Sequence, residues 1–539
     1  MKRFFLFILV LILLLALAPG CGKGPAQPGS AHKAPAIRPL SVYREAAALT
    51  AVEDAVPWER YWAEPDTVNA DLSAYPGLAY SLIVGDNTTF NGPLPRGYDP
   101  EALLEWGKDP GLNVDILHAH GFTGKGAVIA YIDQPVAPHE EYDRETVHIE
   151  NPPELDNSFH GPAVLSLLAG ETIGVAPEAE VYYVSAISGD GASQLHEADA
   201  LYRVIAINET LPEGEKITMV GFSDNISSGE PYEEEFRRAA QACKDAGIMV
   251  WFCGENGAVT FLPYADKNDP DNLVLDQWGG GLPSLAYVPS SGRTVAATLR
   301  DTNYIYFPTG GLSWTMPYTL GLYAIAVSID PSLDQEALRT LIRSTAYIGT
   351  RKTLPGDALS RTEEIRIVNP VGFVAAVLEG AGRNEEARAL REEAAARQKY
   401  LYAVVNLKTM SSGDLGAVYT CLAWYTEAKV LVADASRFES PEELYAAIRQ
   451  DASDRGGEIA GIQVFGDETA VPPLPGEGGK DGTPVLRLAL EPGGYTSFFR
   501  EYRASVLRGD LEGPESCADA LFTPNYAAMA ISLAEGELG

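Results

Sequence analysis

Three side chains in this sequence have the types and settings that nucleophilic catalysis needs. Asp133 closes the apolar run AVIAYID, residues 127–133. His160 opens HGPAVLSLLAG, residues 160–170, whose apolar positions 163, 164, 167 and 168 have helical spacing. Ser313 stands in GGLSWTMPYTLG, residues 310–321, two residues after paired glycines and four before Pro317. A serine hydroxyl is a weak nucleophile until a base takes its proton. A histidine can do so near neutral pH. A carboxylate can orient the imidazole and stabilise its charged form. Each residue alone has a plainer reading: Asp133 as a turn aspartate, His160 and Ser313 as helix caps. Taken in order, 27 and then 153 residues apart, they form a candidate Asp-His-Ser set.

The surrounding chain alternates short apolar runs with helical patterns. VYYVSAI (181–187), GEKITMVGFS (214–223), GIMVWFCG (247–254) and GRTVAAT (292–298) read as strands. A long apolar helix follows Ser313 to about residue 329. SLDQEALRTLIRSTA (332–346) reads as an amphipathic helix with Ser332 as N-cap and Glu336 in its first turns. This alternation predicts an α/β fold: a mostly parallel sheet with helices on both faces. Residues 383–399 read as a charged, Ala-rich, solvated linker helix. A second strand–helix series then begins. Its strands are 400–407, 429–435 and 459–467; its helices are 415–428 and 440–452, the latter opened by the capping box of Ser440, Pro441 and Glu443. Residues 472–484 read as a Pro/Gly-rich loop. Residues 400–539 are therefore expected to form a smaller α/β domain of unknown role, without a catalytic cluster.

The three motifs, with TGKGAVIAYID, GVAPEAEVYYVSA and DPSLDQEALRTLIRSTA around them, resemble the blocks of the subtilisin-like serine proteases. That family's blocks read roughly D-[ST]-G, H-G-T-H and G-T-S-M-A-x-P, in the same Asp, His, Ser order. The resemblance covers 111–382 and implies a subtilisin-like peptidase domain there, with catalytic Asp133, His160 and Ser313. Its departures are Gln134-Pro135 after the Asp, Pro162-Ala163 after His-Gly, and Trp314 after the serine. The tetrahedral intermediate of acyl transfer needs preset donors for its oxyanion. The Ser313 N–H at a helix start supplies one. The family's A-A-G-N is FCGENG here, so the second donor falls to Glu255 or Asn256. Asn256 is the assignment, because an amide donates where a carboxylate repels. A peptide substrate is expected to dock as an added strand beside TMVGFSDN, residues 218–225. Acyl-enzyme chemistry of this kind implies no cofactor.

The chain's ends and composition bound its setting. Of 539 residues, 46% are hydrophobic, with 52 glycines and 37 prolines: a globular, loop-rich protein of several domains. A net charge of −34 argues against nucleic acid as a partner. MKR and the 16-residue run Phe4–Pro19 form an export signal, shorter than the ~20 residues of a membrane span. APGC then resembles a bacterial lipoprotein signal. It implies a signal peptide over 1–20, lipidation at Cys21, a tether over 21–30 and an extracytoplasmic, membrane-anchored protein. Ordinary secretion after the ALA of 16–18 is the plainer alternative. Residues 31–110 read as an irregular extension wrapping the next domain. No CxxC pair marks a zinc site, and Cys243 and Cys253 read as inert core thiols. The acidic loop 265–272 offers carboxylates to a structural calcium ion, although a solvated turn is the ordinary reading. His139 reads as structural, and His118 and His120 as packing or surface residues. The oligomeric state is open. The expected activity is serine endopeptidase; the rival is a binding or scaffold lipoprotein on the same fold.

Overall fold

The computed structural model describes residues 49–50, 67–95, 97–152, 158–186, 192–275, 283–298, 301–350, 364–423, 425–477 and 482–507. The expected signal segment, Cys21, the expected tether and Cys517 lie outside the described residues.

The central element is a five-stranded, wholly parallel sheet. Its members in chain order are β1 (Val128–Asp133), β2 (Val147–Glu150), β3 (Glu180–Ser185), β4 (Met219–Phe222) and β5 (Met249–Phe252). Their order across the sheet is β2-β3-β1-β4-β5. The run around β1 is apolar without alternation because both its faces are covered, and all six of its residues are buried. Helix α1 (His160–Ala169) lies on one face. Helices α2 (Ser193–Thr210) and α3 (Glu233–Asp245) lie on the other. On the first face, Tyr131 and Ile129 of β1 share a core with Ala163, Val164 and Leu167 of α1. On the second, Ile132 and Ala130 meet Val204, Phe236 and Ala240. The α/β reading and its parallel sheet hold. Strand β2 was not foreseen; its four half-buried residues carry no strong apolar run.

The long helix α4 (Thr315–Ile329) is the core of the first face, with 13 buried residues and Pro317 in its first turn. The segment Leu312–Ile329 is apolar and long enough to cross a membrane, yet 78% of it is buried inside the protein. Helix α5 (Gln335–Ser344) is capped by Asp334, whose side chain accepts from the Ala337 N–H at 2.8 Å. Ser332 is not the cap: its hydroxyl bonds Asp330 at 2.6 Å instead. A carboxylate at the helix entrance outcompetes a hydroxyl three residues outside it. The strand expected over 292–298 forms as Arg293–Ala296, paired antiparallel with Tyr304–Phe307.

Residues from 67 onward pack a small apolar cluster against that hairpin. Within it, Val84–Gly85 adds a strand to Tyr304–Phe307, and Leu104 of the helix Pro100–Lys108 accepts from Thr294 Oγ1 at 2.7 Å.

Helix α6 (Pro370–Gly380) and helix α7 (Asn384–Arg397) follow at the end of the first α/β part. Helix α7 differs from a solvated linker. Ala387 and Leu390 are buried in the large core, and Arg391 pairs with Glu379, Arg397 with Asp115 and His120 with Glu393. Its two apolar positions are too few to give a periodic signal in so charged a stretch. Beyond it, β6 (Lys399–Val405), β7 (Lys429–Asp434), β8 (Glu458–Phe465) and β9 (Val485–Leu488) form a second parallel sheet in the order β7-β6-β8-β9. Cores lie on both of its faces. The helix Pro441–Arg455 begins at Ser440, whose hydroxyl accepts from Glu443 N–H as the capping box predicts. The fourth strand follows the Pro/Gly-rich loop and was missed because it is only four residues long. The two α/β parts touch where Asn272 Nδ2 donates to Thr426 O and Lys429 pairs with Asp271, both at 2.9 Å.

Candidate active site

Asp133 is the last residue of β1, so its side chain emerges at the carboxyl edge of the parallel sheet, the usual place for a site in open α/β folds. Its Oδ1 accepts from His160 Nδ1 at 2.6 Å and from the Gln134 N–H at 2.7 Å. The pair is enclosed, with 5% of the Asp133 side chain and 16% of the His160 side chain exposed. Burial pulls the His160 pKa down, but the adjacent Asp133, and Asp224 beyond it, outweigh burial and raise it above the ordinary value. With Nδ1–H given to Asp133, Nε2 is the nitrogen left to accept a proton.

The local sequence explains the placing of His160. Ser158 Oγ, two residues before the helix, accepts the His160 N–H at 3.0 Å and itself donates to Gln134 Oε1. Gln134, one of the departures from the family blocks, thus ties the strand end to the helix start. Gly161 is required by contact: a Cβ there would lie 2.3 Å from Gln134 O. No second histidine is needed for this packing.

Ser313 lies in a one-turn 3-10 segment, Leu312–Trp314, immediately before α4. Gly311 holds a φ of +75°, which favours glycine, and a Cβ on Gly310 would meet the Trp314 ring at 2.2 Å. The paired glycines therefore shape the turn and make room for Trp314. Trp314 packs edge-on against Phe307 at 5.1 Å, Phe307 stacks on Phe159, and Phe159 meets the His160 ring at 6.0 Å. The serine turn packs against α1 directly as well. The Ser313 hydroxyl itself points elsewhere: Oγ donates to Ser223 O at 3.3 Å. Ser223 Oγ in turn donates to Ser313 O at 2.9 Å and bonds the buried Tyr131 hydroxyl at 2.6 Å.

The candidate oxyanion residues separate. Glu255 turns away to α5, where Arg339 grips its carboxylate through Nε at 3.0 Å and through Nη2. Arg339 also lies over the Trp251 ring at 5.1 Å. Asn256 is 3% exposed; its Nδ2 donates to Thr319 Oγ1 at 3.0 Å and Thr315 Oγ1 at 3.4 Å, both on α4, while Oδ1 has no partner among the described residues. A third amide, Asn225, was not singled out from the sequence. Its Oδ1 accepts the Gly254 N–H at 2.7 Å and its Nδ2 reaches Cys253 Sγ at 3.6 Å. Asparagine after a strand is too common in turns to be a signal by itself.

The expected docking strand needs correction. β4 is interior, paired on both sides with β1 and β5, so residues 219–222 have no free edge. Only 223–225, past the end of both ladders, can take an added strand. Cys243 and Cys253 are buried free thiols, each pushed up to about 12 by burial, as inert cysteines should be. His139 is fully buried on Asn303 O at 2.8 Å, and His118 bonds Val175 O at 2.9 Å. In the acidic loop, Asp266 and Asp269 accept from Asn268 and Asp271 N–H groups, and Asp271 pairs with Lys429. No cluster of metal-binding side chains occurs among the described residues.

The fold and these contacts define an α/β protein with a buried acid–imidazole pair and a serine turn at the carboxyl edge of its sheet. No protein-family model matches the chain. Subtilisin BL of Lederbergia lenta is 22% identical over 267 residues, 46% of this chain and 93% of that protein. The thermostable alkaline protease of Halalkalibacterium halodurans is 25% identical over 264 residues, 46% of this chain and 70% of that one. Among solved structures, a cold adapted subtilisin-like serine proteinase aligns at 15% identity and a TM-score of 0.33, over 46% of this chain and 90% of its own. About half of the chain is thus similar to subtilisins and alkaline proteases, at low identity.

Proposed function

We propose that the chain is a serine endopeptidase that cleaves polypeptides through Asp133, His160 and Ser313, held outside the cytoplasmic membrane by a lipid on Cys21. The observation that carries the reading is the enclosed 2.6 Å Asp133–His160 contact, on a helix packed against the serine turn, which leaves Nε2 as the nitrogen to accept a proton. For turnover the Ser313 hydroxyl leaves Ser223 O and gives its proton to Nε2 as Oγ attacks the scissile carbonyl. The acyl-enzyme forms when imidazolium protonates the leaving amine; water repeats the cycle to release the acid. The oxyanion is met by the Ser313 N–H and by Asn256 Nδ2, released from its two threonine hydroxyls. Substrate backbone docks along 223–225. No cofactor takes part in these steps.

A fluorophosphonate probe tests the reading. It should label the wild type and fail on Ser313→Ala and His160→Ala, with casein cleavage following the same pattern. The Ser313–Ser223 contact favours a second reading, a binding or scaffold protein whose serine is parked. Folded wild type that neither labels nor cleaves casein would support it. Removing 400–539 and repeating both assays tests whether the second α/β part is needed. Labelling with radioactive palmitate, lost in Cys21→Ala, tests the anchor.

A further inference from the structure

Helix α5 and the strand Glu364–Ile367 border a cavity of about 620 Å³ in which three arginines meet. On a chain with 40 basic and 74 acidic residues, such a gathering calls for a cause. Helix α5 supplies one wall. Its Glu336, Arg339, Thr340 and Arg343 recur at i, i+3, i+4 and i+7, on a face away from the buried Leu338 and Ile342. Arg366 comes from the strand, where it points outward between the buried Ile365 and Ile367. The three guanidinium groups are not equally occupied. Arg339 spends Nε, at 3.0 Å, and Nη2 on Glu255. Arg343 and Arg366 are exposed and have no hydrogen-bond or ion-pair partner among the described residues. Glu336 bonds neither of them. Arginines elsewhere on the surface are paired, as in Arg383–Glu386, Arg391–Glu379 and Arg203–Glu150. Two guanidinium groups that face one cavity without a counter-ion repel each other. Each also keeps a planar fork of N–H donors that fits carboxylate or phosphate oxygens.

We propose that this cavity is a binding site for a small dianion, of the phosphate-monoester or dicarboxylate class, gripped between the Arg343 and Arg366 guanidinium groups with the Thr340 hydroxyl as a neutral donor. Two unspent forks suit two negative charges: a dianion neutralises both, a monoanion only one. The volume falls within the range of small-molecule sites. Arg339 stays with Glu255 and adds its free Nη1 to the lining. Glu336 is the one carboxylate of the lining that is not already paired; it opposes the ligand and so limits its affinity. The site is separate from the acid–imidazole pair and the serine turn, since Asp133, His160 and Ser313 do not line it. It therefore stands whether or not the chain cleaves peptides.

Isothermal titration of the full-length protein tests the site without any reference to turnover. The probes are sodium phosphate and sodium succinate in slightly alkaline buffer, where both are dianions, with ionic strength held constant by sodium chloride. Saturable binding of at least one is expected. Binding of phosphate alone assigns the phosphate class, and of succinate alone the dicarboxylate class; binding of neither overturns the proposal. Acetate should bind at least about tenfold more weakly than the better dianion, and equal affinity overturns the choice of a dianion. Arg343→Ala and Arg366→Ala should each weaken binding about tenfold or more. Arg343→Lys, which keeps the charge and loses the fork, should fall between wild type and Arg343→Ala. Glu336→Gln should tighten binding about threefold. Binding that survives both alanine variants unchanged lies elsewhere on the protein and overturns the proposal. Should an alanine variant not fold, Glu336→Gln decides: an affinity that is unchanged or weaker overturns it.

Discussion

Ser223 and Ser313 exchange hydrogen bonds, each hydroxyl donating to the other's backbone carbonyl, at 2.9 and 3.3 Å. Pro317 makes this exchange available. In a regular helix the N–H at 317 would bond the carbonyl at 313, but proline has none. The Ser313 carbonyl is left open at the helix start, and the Ser223 hydroxyl fills it. The serine-to-proline spacing visible in the sequence thus fastens the nucleophile's turn to the strip beyond β4 on which substrate is proposed to lie.

Ser223→Ala should slow fluorophosphonate labelling and cost about 1–2 kcal/mol of stability, the price of a half-buried carbonyl left without its donor. Pro317→Ala supplies an N–H for that carbonyl. The double variant should therefore be more stable than the sum of the single losses by about 1 kcal/mol. Denaturant melts of the four proteins measure the coupling; strict additivity would refute the proline argument.

Asp133→Asn removes the anion that raises His160 and reverses the donor pattern at Nδ1. Labelling at pH 7 should fall by about 10³–10⁴. The surviving rate should have its acid limb at lower pH than the wild type. The sign follows from the raised His160 pKa: the protonated form is favoured, and the base works only above its midpoint. The same raised value adds stability below the unfolded histidine pKa of 6.5, which is lost as pH rises through the folded value. The stability advantage of wild type over Asp133→Asn should therefore shrink across that upper interval, as pH-dependent melts can measure.

Asn256→Ala should cut casein turnover by about 10²–10³, whereas Glu255→Ala should change it far less. Because Asn256 also ties Thr315 and Thr319, Thr319→Val serves as the control that loosens the helix contact but keeps the amide. Arg339→Ala releases the Glu255 carboxylate next to the developing oxyanion and should lower kcat; adding Glu255→Gln should restore most of it. A kcat loss in Asn225→Ala that exceeds the loss in Asn256→Ala would move the oxyanion assignment to Asn225.

Glu197→Gln should stabilise the fold progressively with pH. Folding raises this carboxyl from 4.5 to about 9, so between those values the folded state binds a proton that the unfolded state has released. Stability of the wild type then falls as pH rises across that window. Glutamine needs no proton. The gap in urea midpoint between variant and wild type should be near zero at pH 4 and grow to about 1–3 kcal/mol by pH 8, after allowing for relaxation of the site. A gap that is flat with pH would contradict the buried neutral acid.

The sequence by itself determined the strand that ends in Asp133, the helix that starts at His160 and the glycine turn before Ser313. Each is a local pattern of apolar spacing, caps and glycines, and local patterns survive into structure when burial agrees with them. It also carried the parallel α/β class, because strands covered on both faces read as unbroken apolar runs. Only the tertiary structure decided which side of the backbone each polar group of FCGENG faces. Glu255 goes outward because Arg339, 84 residues away, offers it a partner, and Asn256 goes inward to two threonines of α4. The burial of α7 and the interior place of β4 were decided in the same way. The burial of Glu197 is long-range too: one acid alone on a helix reads as solvated, and only packing in the folded chain removes its water and keeps its proton.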